Sequence, residues 1–170
     1  MAKKSSSGKK AKKQASAEGV QLIARNKRVS HDYEILDRME VGLVLAGSEV
    51  KSLREGNVQF ADAHARIDHG AEVWLYNLHI GEYRQAGVFG HLPTTRRKLL
   101  LNRREIKRLI GAMQTKGLSL VPARLYFKRG WAKLELCLVR GRKHQDKRKV
   151  LQDKARDRDI AREMARRQRY

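Results

Sequence analysis

LSLVPARLYFKRGWAKLELCLV, residues 118–139, reads as two β-strands, Leu118–Lys128 and Trp131–Val139, joined at Arg129-Gly130. In the second strand Leu134, Leu136 and Leu138 alternate with Lys133, Glu135 and Cys137, the period of two that a half-buried strand requires. In the first, Tyr126 falls on the same side as Arg124 and Lys128, which makes it a candidate for an exposed ring. Phe127 points the other way and is expected in the core. Cys137 lies opposite the three leucines, on the surface or on a second packed face.

Ahead of this hairpin, Asn102 is a good N-cap, with Glu105 three residues on as in a capping box. Ile106, Leu109, Ile110 and Met113 recur at i, i+3, i+4 and i+7, one apolar helix face, and Gly117 ends it. Residues 84–98 are loop-like, with Gly87, Gly90 and Pro93 followed by Arg96, Arg97 and Lys98. Residues 58–67 and 72–78 read as strands joined by the turn Asp68-His69-Gly70. Val73 and Leu75 there alternate with Trp74 and Tyr76, and Trp74 is expected in the core. Gly47–Gly56 predicts a short helix with Ser48 as N-cap, Gly56 as the C′ residue, and Val50 and Leu53 facing one way. His31–Leu36 begins the first extended segment, and Val41–Leu45 is rich in β-branched and apolar residues. Short strands with turn signals and few helices predict a mainly β fold, an OB-like antiparallel β-barrel with two or three helices.

The chain has 170 residues and a formal net charge of +21, from 39 Lys and Arg against 18 Asp and Glu. Such an excess favours polyanionic partners: nucleic acid, an anionic membrane or an acidic protein. Residues 25–140 carry 21 basic and 12 acidic residues, residues 1–24 carry six and one, and residues 141–170 carry 12 and five. This divides the chain into a disordered basic N-terminal arm (1–22), an RNA-binding barrel (23–140) and a basic C-terminal tail (141–170). The N-terminal arm is a solubilising tail or a non-specific phosphate binder, the first being favoured. The tail is rich in helix formers, and is expected to be disordered when free and helical on a polyanion.

No run approaches the ~20 apolar residues of a membrane span, and no apolar segment follows the basic N-terminus as in a secretory signal. Cys137 is the single cysteine, so no intrachain disulfide forms, in keeping with a reducing cytosol. His31, His64, His69, His79, His91 and His144 lack zinc-ligand spacing. No Walker loop, nucleophile elbow or dinucleotide fingerprint occurs. Neither an enzyme nor a cofactor or metal is expected, and the chain is expected to be a cytoplasmic monomer. Basic residues interleave with Trp74, Tyr76, Tyr83, Tyr126, Phe127 and Trp131, which suits RNA bases that stack on flat rings. No DNA-reading module is visible. The residues themselves leave two alternatives standing, an rRNA-binding or assembly protein and a nuclease.

Several segments taken together resemble the small protein B family, the SsrA-binding proteins of bacterial trans-translation. They are Ile23–Arg28, Glu40–Gly42 leading into Gly47-Ser48-Glu49-Val50-Lys51-Ser52-Leu53-Arg54-Glu55-Gly56, Arg97–Asn102, Leu125–Lys128 with Trp131–Lys133, Gly141–Lys143 and Asp146–Arg148. The resemblance implies a barrel that binds the tRNA-like domain of transfer-messenger RNA (SsrA). It also implies a tail that enters the mRNA channel of a stalled 70S ribosome, on its small-subunit rRNA. The ribosome and alanyl-tRNA synthetase would then do the bond chemistry.

Carried over by position, the RNA-binding residues are Glu40, Leu100, Asn102 and Lys133. The decoding-centre and channel residues are Gly141, His144, Gln145, Asp146, Lys147 and Arg148. Lys133 has the most direct role, as a phosphate contact. Glu40 is evenly divided between an RNA contact and an ordinary salt bridge. Asn102 has a competing role as a helix cap. Leu99 and Leu101 should face away from Leu100, leaving one face exposed. Many relatives carry His or an aromatic residue before the Asp-Lys-Arg triplet; here it is Gln145, preceded by His144, and either takes that place.

Overall fold

A computed structural model describes residues 19–142 and Met164. The elements are β1 (Val20–Arg25), α1 (Val29–Asp32), β2 (Tyr33–Leu43), α2 (Gly47–Arg54), β3 (Val58–Gln59), β4 (His64–Ile67), β5 (Val73–Tyr76) and β6 (His79–Ile80). A 3₁₀ turn (Arg84–Phe89), β7 (Arg97–Leu100), α3 (Arg103–Met113), β8 (Leu118–Lys128) and β9 (Trp131–Gly141) complete them. Strands β8, β9, β2, β7, β5 and β4 pair antiparallel in a ring, which closes where β4 meets β8 at Ala65 and Leu120. Strand β1 is added outside the ring, on β8. This is the OB-like barrel expected. None of the helices among the described residues is long and apolar enough to cross a membrane.

The β8–β9 hairpin forms as read, with Lys128 opposite Trp131. Arg129 and Gly130 have φ of 51° and 81°, the pair of positive angles that lets a two-residue turn follow the strands' twist. The turn before β5 is as expected too, with β4 and β5 paired from His64–Tyr76 to Ile67–Val73. Strand β4 is shorter than the expected 58–67, because Ala61–Ala63 turn the chain away from β3, which pairs with β6 instead. The extended segments expected at 31–36 and 41–45 meet in one strand, β2, carried through a bulge between Ile35 and Asp37, while His31 and Asp32 belong to α1 and Val44 and Leu45 lie beyond the strand's end. A bulge bends a strand without ending it.

Strand β9 is not half-buried. Leu134 to Val139 are buried without a break, because the strand separates two clusters. Leu134, Leu136 and Leu138 join the barrel interior with Val41, Leu53, Leu75 and Leu125. Cys137 and Val139 face outward into a second cluster with Val29, Val121 and Ala123, under α1. Cys137 therefore lies on a second packed face, and burial, assisted by nearby Glu135, pushes its thiol up to about 11.

Two further expectations need correction. Trp74 is not core: Val73 and Leu75 are buried while Trp74 is half-exposed, with the Arg96 guanidinium 4.8 Å from its ring. Ser48 is not the N-cap of α2; Ala46 is. The Ala46 N–H donates to Glu49 Oε2 at 2.7 Å, and the Ser48 hydroxyl instead meets His91 Nδ1 at 3.0 Å. Gly56, with φ of 82°, does follow the helix in the left-handed conformation.

Candidate RNA interface

Cross-strand register gathers three of the four expected barrel contacts. Lys133 on β9 lies opposite Gly42 on β2, and Gly42 lies opposite Leu100 on β7. On the other side of Lys133, β8 offers Tyr126. Glu40 is two residues before Gly42, hence on the same face. The outward surface of β8, β9, β2 and β7 thus carries Tyr126, Lys133, Glu40 and Leu100 side by side. Leu100 is 53% exposed while Leu99 is buried, the division expected of that strand. Asn102 follows as the N-cap of α3, its backbone N–H donating to Glu105 Oε2 at 2.8 Å.

Glu40 is the hub of this face. The Tyr126 hydroxyl donates to Glu40 Oε2 at 2.6 Å. Lys128 Nζ donates to the same oxygen at 3.1 Å, and Lys133 Nζ stands 3.9 Å from Oε1. The structure thus gives Glu40 its salt bridges, and with them a positioning role. The carboxylate holds Lys128 by hydrogen bond and leaves Lys133, outside hydrogen-bond range, as the looser cation. Three charges of both signs leave a net of one positive.

Tyr126's hydrogen bond is the main reason the Glu40 carboxyl is held below its ordinary value. The Lys128 and Lys133 ammonium groups act in the same direction, and partial burial acts against them. Partial burial and the bond to Glu40 together raise the Tyr126 phenol well above its usual range, so it remains a donor. Since the folded carboxyl is depressed, its contribution to stability is present above the unfolded value and is lost as pH falls through the folded one. Tyr126→Phe is expected to move the Glu40 titration upward, so that this loss is smaller and is complete at a higher pH. Carboxyl-carbon NMR titration measures it; an unmoved Glu40 in the variant contradicts the assignment.

Three other cations near this face are already committed. Buried Glu135 lies directly opposite Glu40 and is paired by Arg124 and by Arg38 Nη1 at 3.3 Å. Arg108 is paired with Asp37 at 2.7 Å.

Some members of the face were not picked out from sequence. Gly42 is one: a Cβ built there would lie 3.2 Å from Leu100 Cβ, so its lack of a side chain lets Leu100 rest across the strand. Trp131, one of the rings that interleave with basic residues in the sequence, is 74% exposed and on the face of β9 that carries Lys133. Lys128 completes the set through Glu40.

Gly141 is not part of this face. It ends β9 opposite Tyr33, on the far side of the second cluster. His144, Gln145, Asp146, Lys147 and Arg148 lie outside the described residues, as do most of both basic arms, so their expected conformations lie outside them too. The motif Gly47–Gly56, a specific part of the resemblance, turns one face inward: Glu49, Ser52 and Leu53 are buried, and Ser52 Oγ donates to the Gly81 carbonyl at 2.5 Å. Its exposed side chains include Lys51, over the Tyr83 ring at 5.4 Å, and Arg54, over Phe127 at 6.0 Å. Among the described residues no group of three His, Cys, Asp or Glu could hold a metal ion.

The chain as a whole is similar to known proteins. The family model described as SmpB protein matches residues 23–166. The SsrA-binding protein of Anaeromyxobacter sp. (strain Fw109-5) is 52% identical over 153 residues, covering 90% of this chain and 92% of that protein. The SsrA-binding protein of Desulfitobacterium hafniense (strain DSM 10664 / DCB-2) is 47% identical over 146 residues, covering 86% and 93%. A chain of the solved structure described as "tmRNA-SmpB: a journey to the center of the bacterial ribosome" is 46% identical with a TM-score of 0.61. That match covers 71% of this chain and 85% of the other.

Proposed function

The chain belongs to the SmpB protein family, and on that premise we propose that it binds the tRNA-like domain of transfer-messenger RNA and delivers it to stalled ribosomes for trans-translation. The observation that carries the reading is the register row Tyr126–Lys133–Gly42–Leu100, with Glu40 beside it. It joins phosphate-pairing and ring-stacking chemistry on one outward surface, as recognition of a folded RNA requires. In this reading Lys133 meets a phosphate, Glu40 fixes the neighbouring cations, Leu100 packs on a sugar or base, and Asn102 offers its exposed amide. Gly141 and the positions from His144 to Arg148 serve a separate contact, with the small-subunit rRNA of the decoding centre and channel.

The division of labour follows the charge: an N-terminal arm to residue 22, a recognition barrel from 23 to 140, and a ribosome-directed tail from 141. The chain acts by binding and leaves bond chemistry to others, and its place of work is the cytoplasm, where ribosomes stall.

Lys133→Ala is expected to weaken binding to transfer-messenger RNA about tenfold, the scale of one charge-assisted hydrogen bond. Affinity should fall with salt at a log–log slope of about −0.7 to −0.9 per phosphate contact, and the variant's slope should be shallower by about one. Filter binding across a salt series, with bulk tRNA as competitor, measures both. The reading fails when transfer-messenger RNA binds no better than bulk tRNA.

A further inference from the structure

We propose that the cleft between α3 and strands β5 and β7 takes up one unstacked base of the bound RNA; this rests on the functional reading above and extends the same interface. The cleft encloses about 440 Å³, within the ~300–1,000 Å³ of small-ligand sites and ample for a base. Leu100, Leu101, Ile106 and Ile110 supply apolar wall, and Lys98, Arg103 and Lys107 line it with positive charge. Glu72 is the one carboxylate of the lining, and Lys98 bonds to it. Three cations against one acid leave a net of two positive charges, which suits a flat ring tethered to phosphates and not a neutral apolar partner.

Leu101 and Ile106 also pack against the barrel core, but Leu100 and Ile110 are not accounted for by folding. Leu109 turns the apolar face of α3 into the barrel and is 1% exposed, whereas Ile110 is 38% exposed and Leu100 53%. Leu100 belongs at once to the register row and to the cleft wall, so an RNA on the first reaches the second without leaving the surface. Arg103 and Lys107 stand one helical turn apart on the rim, spaced to follow a backbone. A larger cleft, about 590 Å³ beside β4, β8 and α1, mixes Arg28 and Arg66 with Asp32 and Asp62 and has no such bias of charge.

The test replaces unpaired loop bases of the tRNA-like domain of transfer-messenger RNA with 2-aminopurine, one position at a time, and follows fluorescence as the full-length protein is added. With the wild type, at least one position should change its emission saturably. Ile110→Asp should lower affinity about tenfold, as loss of a base contact does, and abolish that change, while Ile110→Val retains it. Lys133→Ala should weaken binding yet show the full change once the RNA is saturated. The proposal is overturned by an unchanged emission at every position with the wild type. It is equally overturned by Ile110→Asp binding with wild-type affinity and emission. Circular dichroism and melting check that Ile110→Asp folds; failing that, Arg103→Glu with Lys107→Glu makes the same test from the rim. Wild-type protein that does not prefer this RNA to bulk tRNA overturns the functional reading itself, and the cleft with it.

Discussion

Truncation after Arg142 is expected to leave preference for the tRNA-like domain over bulk tRNA intact while abolishing peptide tagging on stalled ribosomes. The barrel's described contacts are complete at that residue. The Arg142 N–H donates to the Asp32 carbonyl at 3.1 Å, and its guanidinium to the Ser30 carbonyl at 3.4 Å. Beyond it go 11 basic and five acidic residues, so non-specific affinity should fall and become less salt-dependent. Competition binding and tagging in a reconstituted translation reaction on mRNA lacking a stop codon separate the two activities. Equal loss of both would contradict a barrel that recognises one RNA and a tail that addresses another.

Arg97→Ala is expected to cost about 3–5 kcal/mol of folding stability, the range for removing one partner of a buried ion pair. Arg97 and Glu49 side chains are 2% and 6% exposed, with Nε to Oε1 at 2.7 Å. The guanidinium also donates to the Leu78 carbonyl at 2.5 Å and the Pro93 carbonyl at 3.0 Å. Alanine there strands a buried carboxylate and two carbonyls together. Against a total of about 5–15 kcal/mol for a typical domain, such a loss is visible as a shifted urea midpoint, or as failure to fold. A companion Arg97→Leu, Glu49→Leu protein should lose less, because no buried charge is left alone. A drop under about 1 kcal/mol in Arg97→Ala would show that water reaches the pair.

The same ion pair explains where sequence reading stopped. Ser48 has the chemistry of an N-cap, and nothing local argues against it. What moves the helix start to Ala46 is Glu49, held by an arginine 48 residues along the chain. Features set by neighbours in sequence were legible: the Arg129-Gly130 turn, the Asn102–Glu105 cap, the alternation of Leu99 and Leu100. Features set by distant packing were not. The outward face of β9 reads as polar at Lys133 and Glu135, but α1 and β8 cover it further along, so Cys137 and Val139 are interior. Trp74 looked like core because tryptophan usually is, yet its strand turns that ring toward Arg96. At the candidate site, Lys133, Leu100 and Glu40 came from resemblance alone. Their adjacency needed the barrel's register, and so did Gly42, whose role is to be absent beneath Leu100.

Strand β9 runs from the RNA row at Lys133 to the root of the tail at Gly141, paired on both edges as far as Arg140 and buried from Leu134 to Val139. Eight residue steps of extended chain measure about 27 Å. A strand so enclosed cannot bend or stretch appreciably, so it works as a spacer of fixed length. One RNA held at its first end and another met at its last would be separated by a distance that the fold sets in advance. Their relative angle would be set by the strand's own twist. A bridging protein with a supple joint at that place would let its two cargoes wander; this one would hold them in a single orientation.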